Sequence, residues 1–264
     1  MILRYLKTFA VSIALLSVVS FSVVAQDKLA VGANIGNVPW EFQDDTGEIV
    51  GFEVDLVNEV AKRIGAEVDI QNIPFNGLFS AVQSGRIDVA ISSITITDER
   101  LESVSFAQPY YDSDQSLTTA TGGPDSLEGM KGKVVGVDTG STGDMWATDK
   151  TETYGFADIR RYEGLAPAML DLSAGRIDGY ISDIPALLYY VKDKPKLQVV
   201  QRIETGEKYS MMFAKDAELR DQVNSVLTTL KEEDMLAALH EKWFGKAPED
   251  STSTVQVLPI PMAK

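Results

Sequence analysis

A run of hydroxyl side chains and one arginine follow a short apolar stretch in the segment IDVAISSITITDER, residues 87–100. Ser93 and Thr95 come directly after the predicted strand, and Arg100 falls in the first turn of the next predicted helix. A cation is disfavoured there, and no residue three or four positions away is acidic. An arginine that pairs across the fold is one explanation. The adjacent hydroxyls favour another, a carboxylate-binding site at the carboxyl end of the strand.

The same pattern occurs a second time, about ninety residues later. LDLSAGRIDGYISD at 170–183 repeats the arrangement of SAVQSGRIDVAISS at 80–93, which places Asp183 at the position of Ser93. Asp183 by itself is typical of a helix N-cap. Its equivalence to Ser93 instead predicts a strand-end position in a second lobe of similar construction, where a carboxylate suits an ammonium group.

A turn of small residues, DTGSTGD at 138–144, follows a third predicted strand and opens a helix. Its glycines let backbone N–H groups approach an anion, and Ser141 or Thr142 can cap the helix. The spacing matches neither a dinucleotide fingerprint nor a phosphate loop. Taken alone, the turn is equally typical of an ordinary capped helix.

Composition restricts the chemistry that these residues could perform. The 264 residues include no cysteine and one histidine, and the formal net charge is −15. The absence of cysteine excludes disulfides and thiolate metal sites. With one histidine, a catalytic triad or a zinc site has few side chains to use. Nothing in the sequence indicates a cofactor. The acidic charge argues against a nucleic-acid partner. Alternating strands and helices predict α/β lobes with mostly parallel sheets.

The first 25 residues predict a secretory signal peptide. Arg4 and Lys7 precede an apolar run from Phe9 to Val24, and the segment ends in Val23-Val24-Ala25. A retained membrane anchor is the alternative, but the run is short for a bilayer span. We predict cleavage after Ala25 and a periplasmic location.

Five motifs, in this order along the chain, resemble the polar amino-acid-binding proteins of bacterial ABC importers: GFEVDL (51–56), AVQSGRIDVAISSITITDER (81–100), GVDTGSTGD (136–144), GRIDGYISD (175–183) and EKWFG (241–245). The resemblance implies a two-lobed periplasmic-binding-protein fold, with two crossover strands near Ser116–Ala120 and Lys208–Phe213 that act as a hinge. Residues 26–117 and 209–245 are then lobe 1 and residues 118–208 are lobe 2. The tail, 246–264, has no predicted role.

The same resemblance implies a role for each motif residue at the ligand. It implies that the α-carboxylate of a free amino acid is held by Arg100, the region of Thr95 and the loop Ser141-Thr142. It implies that the α-ammonium is held by Asp183 together with Ser93 and Thr95. These roles agree with the chemistry, because a zwitterion that leaves water needs both of its charged ends paired.

The pocket for the ligand side chain departs from the family pattern. The positions concerned are Asn34, Asn37, Trp40 and Phe75. Asn34 and Asn37 stand where many relatives have an aspartate and an aromatic residue. Phe75 occupies the position of a family aromatic that contacts the ligand side chain, and Trp40 is expected near the cleft. A polar uncharged amino acid is therefore the predicted ligand, although Asp138 or Glu41 could restore selectivity for a cation.

Two functions compete for this architecture. The first is a monomeric receptor, without enzymatic activity, that passes an amino acid to an inner-membrane ABC permease. The second is a periplasmic cyclohexadienyl dehydratase, which the same fold also resembles and which would need an acid or base of tuned pKa beside its substrate. Asp183 is the one acid that the motifs place in the cleft, and it already has a binding role.

Overall fold

The computed structural model describes residues 27–263; the predicted signal peptide, residues 1–25, lies outside this range. In chain order the strands are β1 (Asp27–Ala33), β2 (Phe42–Gln43), β3 (Ile49–Val50), β4 (Ala66–Asn72), β5 (Val89–Ala90), β6 (Val104–Phe106), β7 (Tyr111–Ala120), β8 (Val134–Asp138), β9 (Asp158–Tyr162), β10 (Gly179–Asp183), β11 (Leu197–Tyr209) and β12 (Met212–Ala214). The helices are α1 (Phe52–Ile64), α2 (Phe75–Gln83), α3 (Asp98–Ser103), α4 (Thr142–Tyr154), α5 (Leu165–Ser173), α6 (Ile184–Val191), α7 (Glu218–Glu232) and α8 (Met235–Phe244).

Two five-stranded sheets form the centres of two lobes. The first has the order β4-β1-β5-β12-β6 and the second the order β11-β7-β10-β8-β9, while β2 and β3 form a separate hairpin. Strand β12 runs antiparallel to its neighbours in the first sheet, as β7 does in the second. The other pairings within these two five-stranded sheets are parallel. Strand β1, for example, pairs with β4 from Asp27↔Ala66 to Ala33↔Asn72. The predicted two-lobed α/β fold is confirmed.

Helix α1 shows how the local sequence produces these elements. Its apolar residues Leu56, Val57 and Val60 are fully buried at helical spacing and pack against the first sheet. The helix ends at Gly65, whose φ of 79° lies in the left-handed region that favours glycine. None of the helices between residues 27 and 263 combines the length and the apolar character needed to cross a membrane.

The chain passes between the sheets at positions that differ in part from the prediction. It leaves the first sheet after Phe106, enters the second at Tyr111, and returns between Tyr209 and Met212. The predicted return, Lys208–Phe213, contains the second crossing. The predicted first crossover, Ser116–Ala120, is wrong, and so is the lobe boundary at residue 117 that depends on it. Those residues lie inside β7, which pairs with β10 on one side and β11 on the other.

The C-terminal tail, for which the sequence predicts no role, packs on both crossings. Ser253 and Thr254 are buried. The Ser253 backbone N–H and hydroxyl both donate to Asp112, at 2.8 and 2.6 Å, and the Thr254 hydroxyl donates to the carbonyl of Tyr110 at 3.0 Å. Lys208, at the end of β11, donates to the Ser253 hydroxyl at 2.9 Å. The tail therefore covers the hinge from outside.

Candidate functional site

The carboxyl ends of β1, β5, β8 and β10 face one cleft between the lobes. Ten of the eleven predicted site residues line it: Asn34, Asn37, Phe75, Ser93, Thr95 and Arg100 from the first lobe, and Asp138, Ser141, Thr142 and Asp183 from the second. Three residues outside the prediction also line it: Ser92, Leu165 and Ser182. The cavity between these residues has a volume of about 30 Å³, more than a single buried water needs.

The cleft is narrow because polar groups of the two lobes touch across it. Three pairs make these contacts: Ser93 Oγ to Asp183 Oδ2 at 2.9 Å, Arg100 Nη2 to the Gly140 carbonyl at 3.2 Å, and Thr95 Oγ1 to Thr142 Oγ1 at 3.4 Å. All of these groups form strong hydrogen bonds. A small polar ligand can therefore replace lobe-to-lobe contacts with its own contacts to each lobe.

Arg100 is 5% exposed and held firmly in place. The Thr97 side chain caps α3, accepting from the Arg100 backbone N–H at 3.1 Å, and Arg100 Nη1 donates to the Thr95 carbonyl at 2.7 Å. The guanidinium lies 5.5 Å from the ring centre of Phe75 and 5.1 Å from that of Phe79. A cation that lies over the face of an aromatic ring is attracted to it, so these contacts stabilise the charged guanidinium. The arginine is thus positioned before any anion binds.

The charge of Arg100 is compensated from a distance. The guanidinium donates to two carbonyl groups, those of Thr95 and Gly140, and neither carries a net charge. Burial lowers the pKa of Arg100 to about 10, whereas the facing carboxylates of Glu207 and Asp183 raise it. The guanidinium stays charged at neutral pH, and its burial makes an anionic partner favourable.

The loop that carries Ser93 rests on two buried glutamates. The Ser93 backbone N–H donates to both carboxylate oxygens of Glu53, at 2.9 and 3.0 Å, and the Tyr110 hydroxyl also donates to Glu53. Ser93 has a φ of 44°, an uncommon conformation for a residue other than glycine. The sequence explains Glu53 only as an acid at the helix N-terminus. Its structural role is to fix the Ser93 loop to the first crossing.

Glu41 is the second buried glutamate and faces the first. It accepts hydrogen bonds from the Ser92 hydroxyl and the Asn37 side chain. Burial raises the pKa of Glu41 well above its usual range, and the charge of Glu53 raises it further. The two carboxyl groups thus lie together beneath the cleft, and Glu41, which the sequence offered as a residue selective for a cation, supports Ser92 and Asn37 instead of lining the cleft.

We expect Glu41→Gln to stabilise the protein at pH 8 and to have little effect at pH 4. A raised pKa in the folded state contributes stability below the unfolded value of 4.5, and this contribution is lost as the pH rises towards the folded pKa. A neutral amide of the same shape avoids the loss. Since 1 kcal/mol corresponds to roughly 2–4 °C in a domain of 150–250 residues, a rise in Tm of a few degrees should be measurable.

The control for this change is Glu48→Gln, which removes the same charge from an exposed position on the β2–β3 hairpin. Thermal denaturation of both variants at pH 4 and pH 8 tests the prediction. An equal change in Tm at the two pH values would show that Glu41 is charged in the folded protein.

Asp183 is half-buried at the end of β10. Its Oδ1 accepts from Gln115 Nε2 at 2.7 Å, and its Oδ2 accepts from Ser93 Oγ at 2.9 Å. Burial raises its pKa to about 7, with a further contribution from the charge of Glu207. An ammonium group brought into the cleft would favour the ionised carboxylate.

Glu207 is a buried acid of the cleft that the sequence prediction missed. It lies on β11 beside the second crossing and is 6% exposed. Its carboxylate accepts from Thr95 Oγ1 at 2.8 Å, from Thr142 Oγ1 at 3.1 Å and from Gln115 Nε2 at 3.0 Å. No motif identifies it, and the one signal in the sequence is an acid immediately before the predicted crossover Lys208–Phe213.

The turn before α4 supplies a helix N-terminus to the cleft. Ser141 is the N-cap and its side chain accepts from the Asp144 backbone N–H at 3.1 Å, whereas Thr142 is the first helical residue. The first N–H groups of a helix have no partner within it, and they favour an anion. Ser141 therefore organises the turn, and Thr142 presents its hydroxyl to the cleft.

Asp138 defines the other end of the cleft. It lies at the end of β8, and its Oδ1 is inaccessible to solvent and without a hydrogen-bond partner among the described residues. Burial raises the pKa of Asp138 to about 6; the Tyr180 hydroxyl, which faces it, opposes this and the charge of Glu163 adds to it. Asp138 therefore contributes a carboxyl group to the lining of the cleft, with the Tyr180 hydroxyl as a nearby donor.

Trp40 does not belong to the site. The prediction placed it near the cleft, but it is fully buried in the core of the first lobe, with ring centroids 5.6 Å from Phe52 and 4.7 Å from Tyr111. The reason is that its turn folds back onto α1, where the Glu53 backbone N–H donates to the Trp40 carbonyl at 3.0 Å. The indole therefore packs between the helix and the hinge strands.

Across residues 27–263, no three His, Cys, Asp or Glu side chains are grouped so that they could hold a metal ion. Two α/β lobes around a polar cleft define the class of two-lobed solute-binding proteins. The sequence profile of the bacterial extracellular solute-binding proteins, family 3, matches residues 29–246. The chain belongs to this family, and the tail after residue 246 lies beyond the matched region.

Three relatives illustrate the similarity. The putative ABC transporter arginine-binding protein 2 of Escherichia coli is 30% identical over 88% of this chain and 97% of its own. The L-cystine-binding protein TcyJ of the same species is 32% identical over 82% of both chains. An ancestral arginine-binding protein bound to glutamine has a TM-score of 0.79 at 33% identity, over 84% of this chain and the whole of the other.

Proposed function

We propose that this protein is a receptor that binds a free amino acid between its lobes and delivers it to an ABC permease. One observation carries the proposal: a buried arginine of the first lobe and a carboxylate of the second, Arg100 and Asp183, line the same cleft. An α-amino acid presents a carboxylate and an ammonium on the same carbon atom. Pairing both ends offsets the cost of removing the zwitterion from water.

In this proposal the ligand binds to both lobes and stabilises their closed arrangement. Arg100 and the N-terminus of α4 bind the α-carboxylate, while Asp183 binds the α-ammonium. A ligand favours closure to the extent that it binds the closed arrangement more tightly than the open one. Relatives named for arginine, cystine and histidine support an amino acid as the ligand.

The decisive experiment is a melting-shift screen of purified, ligand-stripped protein against the common amino acids, cystine, amines and sugars. A ligand that binds only the folded state stabilises it by about 2.7 kcal/mol at a concentration 100 times its Kd. We expect a shift with a small set of amino acids and none with sugars. Absence of a shift with every amino acid would contradict the proposal.

Two side-chain classes are consistent with the cleft. Asn34 and Asn37 provide amides and no charge, which supports the polar uncharged ligand predicted from the sequence. The carboxyl group of Asp138 in the lining of the cleft supports a ligand whose side chain ends in a cation. The ancestral arginine-binding protein bound to glutamine shows that one protein of this fold can bind an uncharged ligand as well.

Asp138→Asn distinguishes these classes. If Asp138 pairs with a cationic side chain, the variant should bind L-arginine roughly 10- to 100-fold more weakly, since a hydrogen bond to a charged group contributes about 1.5–3 kcal/mol. Its affinity for L-glutamine should change little. Calorimetric titration with both amino acids measures the effect, and Glu163→Gln, which removes an exposed charge beside Asp138, is the control. Unchanged arginine affinity would favour the uncharged class.

A cyclohexadienyl dehydratase is the second candidate. The observation in its favour is the raised pKa of Asp183, about 7, because a general acid or base works best when its pKa is near the operating pH. The matched relatives named here are binding proteins, which supports the receptor. Incubation with prephenate and arogenate tests the alternative, and sustained product formation would replace the receptor by the enzyme.

The cellular setting belongs to the same proposal. Export by the N-terminal signal, with cleavage after Ala25, would release the mature chain into the periplasm as a monomer. Its family of extracellular solute-binding proteins supports this location. The partner would be an inner-membrane permease, as in the ABC transporter systems for which relatives are named.

A further inference from the structure

Glu207 lies where the two lobes and the hinge meet. One of its carboxylate oxygens, Oε2, accepts from Thr95 in the first lobe and from Thr142 in the second. Gln115, on the neighbouring hinge strand β7, donates to both carboxylate oxygens, at 3.0 and 3.1 Å. The carboxylate is thus surrounded by donors from three parts of the molecule.

These contacts fix the direction of the threonine hydroxyls. A carboxylate only accepts, so Thr95 and Thr142 must each use their single hydroxyl proton on Glu207. Gln115 Nε2 also lies 3.2 Å from Thr142 Oγ1, but its two protons are already directed at Asp183 and Glu207, so this contact does not by itself set the direction of the hydroxyl. Both hydroxyls therefore have lone pairs, and no proton, left for a ligand in the cleft. The 3.4 Å contact between Thr95 Oγ1 and Thr142 Oγ1 is then a contact between two acceptors, which a donor from a ligand can bridge.

We propose that Glu207 is a specificity-determining residue, which turns the hydroxyls of Thr95 and Thr142 into acceptors for the α-ammonium of the ligand. This inference rests on the proposed function. An α-ammonium offers three donors and a positive charge, whereas the α-hydroxyl of the corresponding hydroxy acid offers one donor and no charge. With Glu207 in place, the cleft discriminates an amino acid from its α-hydroxy acid.

The inference changes the role that family resemblance implies for Thr142. Its hydroxyl proton is already donated to Glu207, so the hydroxyl cannot donate to the ligand carboxylate. The carboxylate then depends on Arg100 and on the backbone N–H groups in the first turn of α4. Glu207 assigns the hydroxyl side of the cleft to the ammonium, and thereby orients the ligand.

The test compares Glu207→Gln with wild type. The probes are L-arginine, L-histidine and L-glutamine, each paired with its α-hydroxy acid, and the readout is the ratio of the two affinities by competition calorimetry. The side-chain amide introduced by Glu207→Gln can donate to one of the two threonine hydroxyls, which then no longer donates at this position and has its proton free for a ligand. We expect the preference for the amino acid to fall by about tenfold or more. Glu204→Gln, which neutralises an exposed acid on the same strand, should leave the ratio unchanged.

A second set of variants separates hydroxyl direction from simple loss of charge. In a protein that carries Thr95→Val and Thr142→Val, Glu207→Gln should change the affinity ratio much less than in wild type, because the hydroxyls through which it acts are gone. Circular dichroism and Tm verify that each variant is folded.

Three results would contradict the inference or its basis. An unchanged ratio in Glu207→Gln would overturn the role of Glu207. Equal effects in the presence and absence of the threonine hydroxyls would show that charge alone acts. Failure of wild type to bind any amino acid of the melting-shift screen would instead count against the proposed function, and the inference would fall with it.

Discussion

Replacing Arg100 by alanine is expected to weaken amino-acid binding by roughly two to three powers of ten in Kd. Arg100 is buried and is the one cation among the residues that line the cleft. Without it, a carboxylate in the closed cleft has no charged partner, and removal of one partner of a buried ion pair costs about 3–5 kcal/mol. Calorimetric titration of the purified variant measures the loss.

Arg100→Lys should recover little of this affinity. The guanidinium simultaneously donates to the carbonyls of Thr95 and Gly140 and lies near the rings of Phe75 and Phe79. A lysine ammonium is a point charge without the planar fork of donors that these contacts require.

The control is Arg86→Ala, which removes an exposed arginine from the same lobe. It should bind like wild type. If Arg100→Ala keeps its affinity while remaining folded, the ligand carboxylate binds elsewhere and the proposed site is wrong.

Much of the fold and most of the cleft lining follow from local patterns in the sequence. The spacing of Leu56, Val57 and Val60 predicts α1, and Gly65 predicts its end, because helical periodicity and the left-handed cap are local properties. The internal repeat places Asp183 opposite Ser93, and the structure brings these two side chains to 2.9 Å. The location of Ser93 and Asp183 at the ends of strands is therefore predictable from the sequence alone.

The residues behind the cleft were not predictable in this way. Glu41, Glu53 and Glu207 are acids in segments that look exposed, and each is buried because it receives hydrogen bonds from residues 40 or more positions away. Such pairing is a property of the tertiary structure. Rules based on local sequence assign acids to helix N-termini or to solvent. For Glu53 they give the right position, the helix N-terminus, but not its hydrogen bonds to Ser93 and Tyr110.

The errors about Trp40 and the first crossover share one cause. A tryptophan in a Gly- and Pro-containing turn resembles an exposed aromatic, and the hydroxyl-rich segment Ser116–Ala120 resembles a polar connection. In the structure the turn folds onto α1, and the segment is the interior of β7, where Ser116, Thr118 and Thr119 are buried between two partner strands. Side-chain polarity alone does not separate a solvated connection from a central strand.

The hinge, the support of the site and the tail form one connected region. Tyr110 at the first crossing donates to Glu53, which holds the Ser93 loop, and Thr254 of the tail donates to the carbonyl of Tyr110. A change in backbone angles at the crossing therefore has a direct path to the loop that carries a proposed ligand contact. The tail, the first crossing and the Ser93 loop are thus joined by one continuous series of hydrogen bonds.

Asp183→Asn is expected to change binding and stability in opposite directions. For binding, the ammonium needs the ionised carboxylate, and the pKa of Asp183 is raised to about 7. Wild-type affinity should therefore fall about tenfold per pH unit below 7, or roughly a hundredfold between pH 8 and pH 5. The variant, which has no such charge, should bind weakly and show a flat pH profile over this range.

For stability the sign is reversed. A carboxyl group whose folded pKa exceeds its unfolded value of 3.8 contributes stability below that value and loses the contribution as the pH rises towards 7. Above pH 7 the ionised Asp183 faces Glu207 in a poorly hydrated cleft, so Asp183→Asn should raise the Tm of the ligand-free protein at pH 8 and change it little at pH 4. Asp193→Asn, which changes an exposed acid of the same lobe, should alter neither property.

Two results would contradict these expectations. A wild-type affinity that is constant from pH 8 to pH 5 would show that Asp183 is already ionised over this range. A lower Tm for the asparagine variant at pH 8 would show that the charge of Asp183 is compensated in the closed cleft. The proposed ammonium site therefore holds an ionised carboxylate at a cost in stability until a ligand binds, and the two measurements together detect that cost and its compensation.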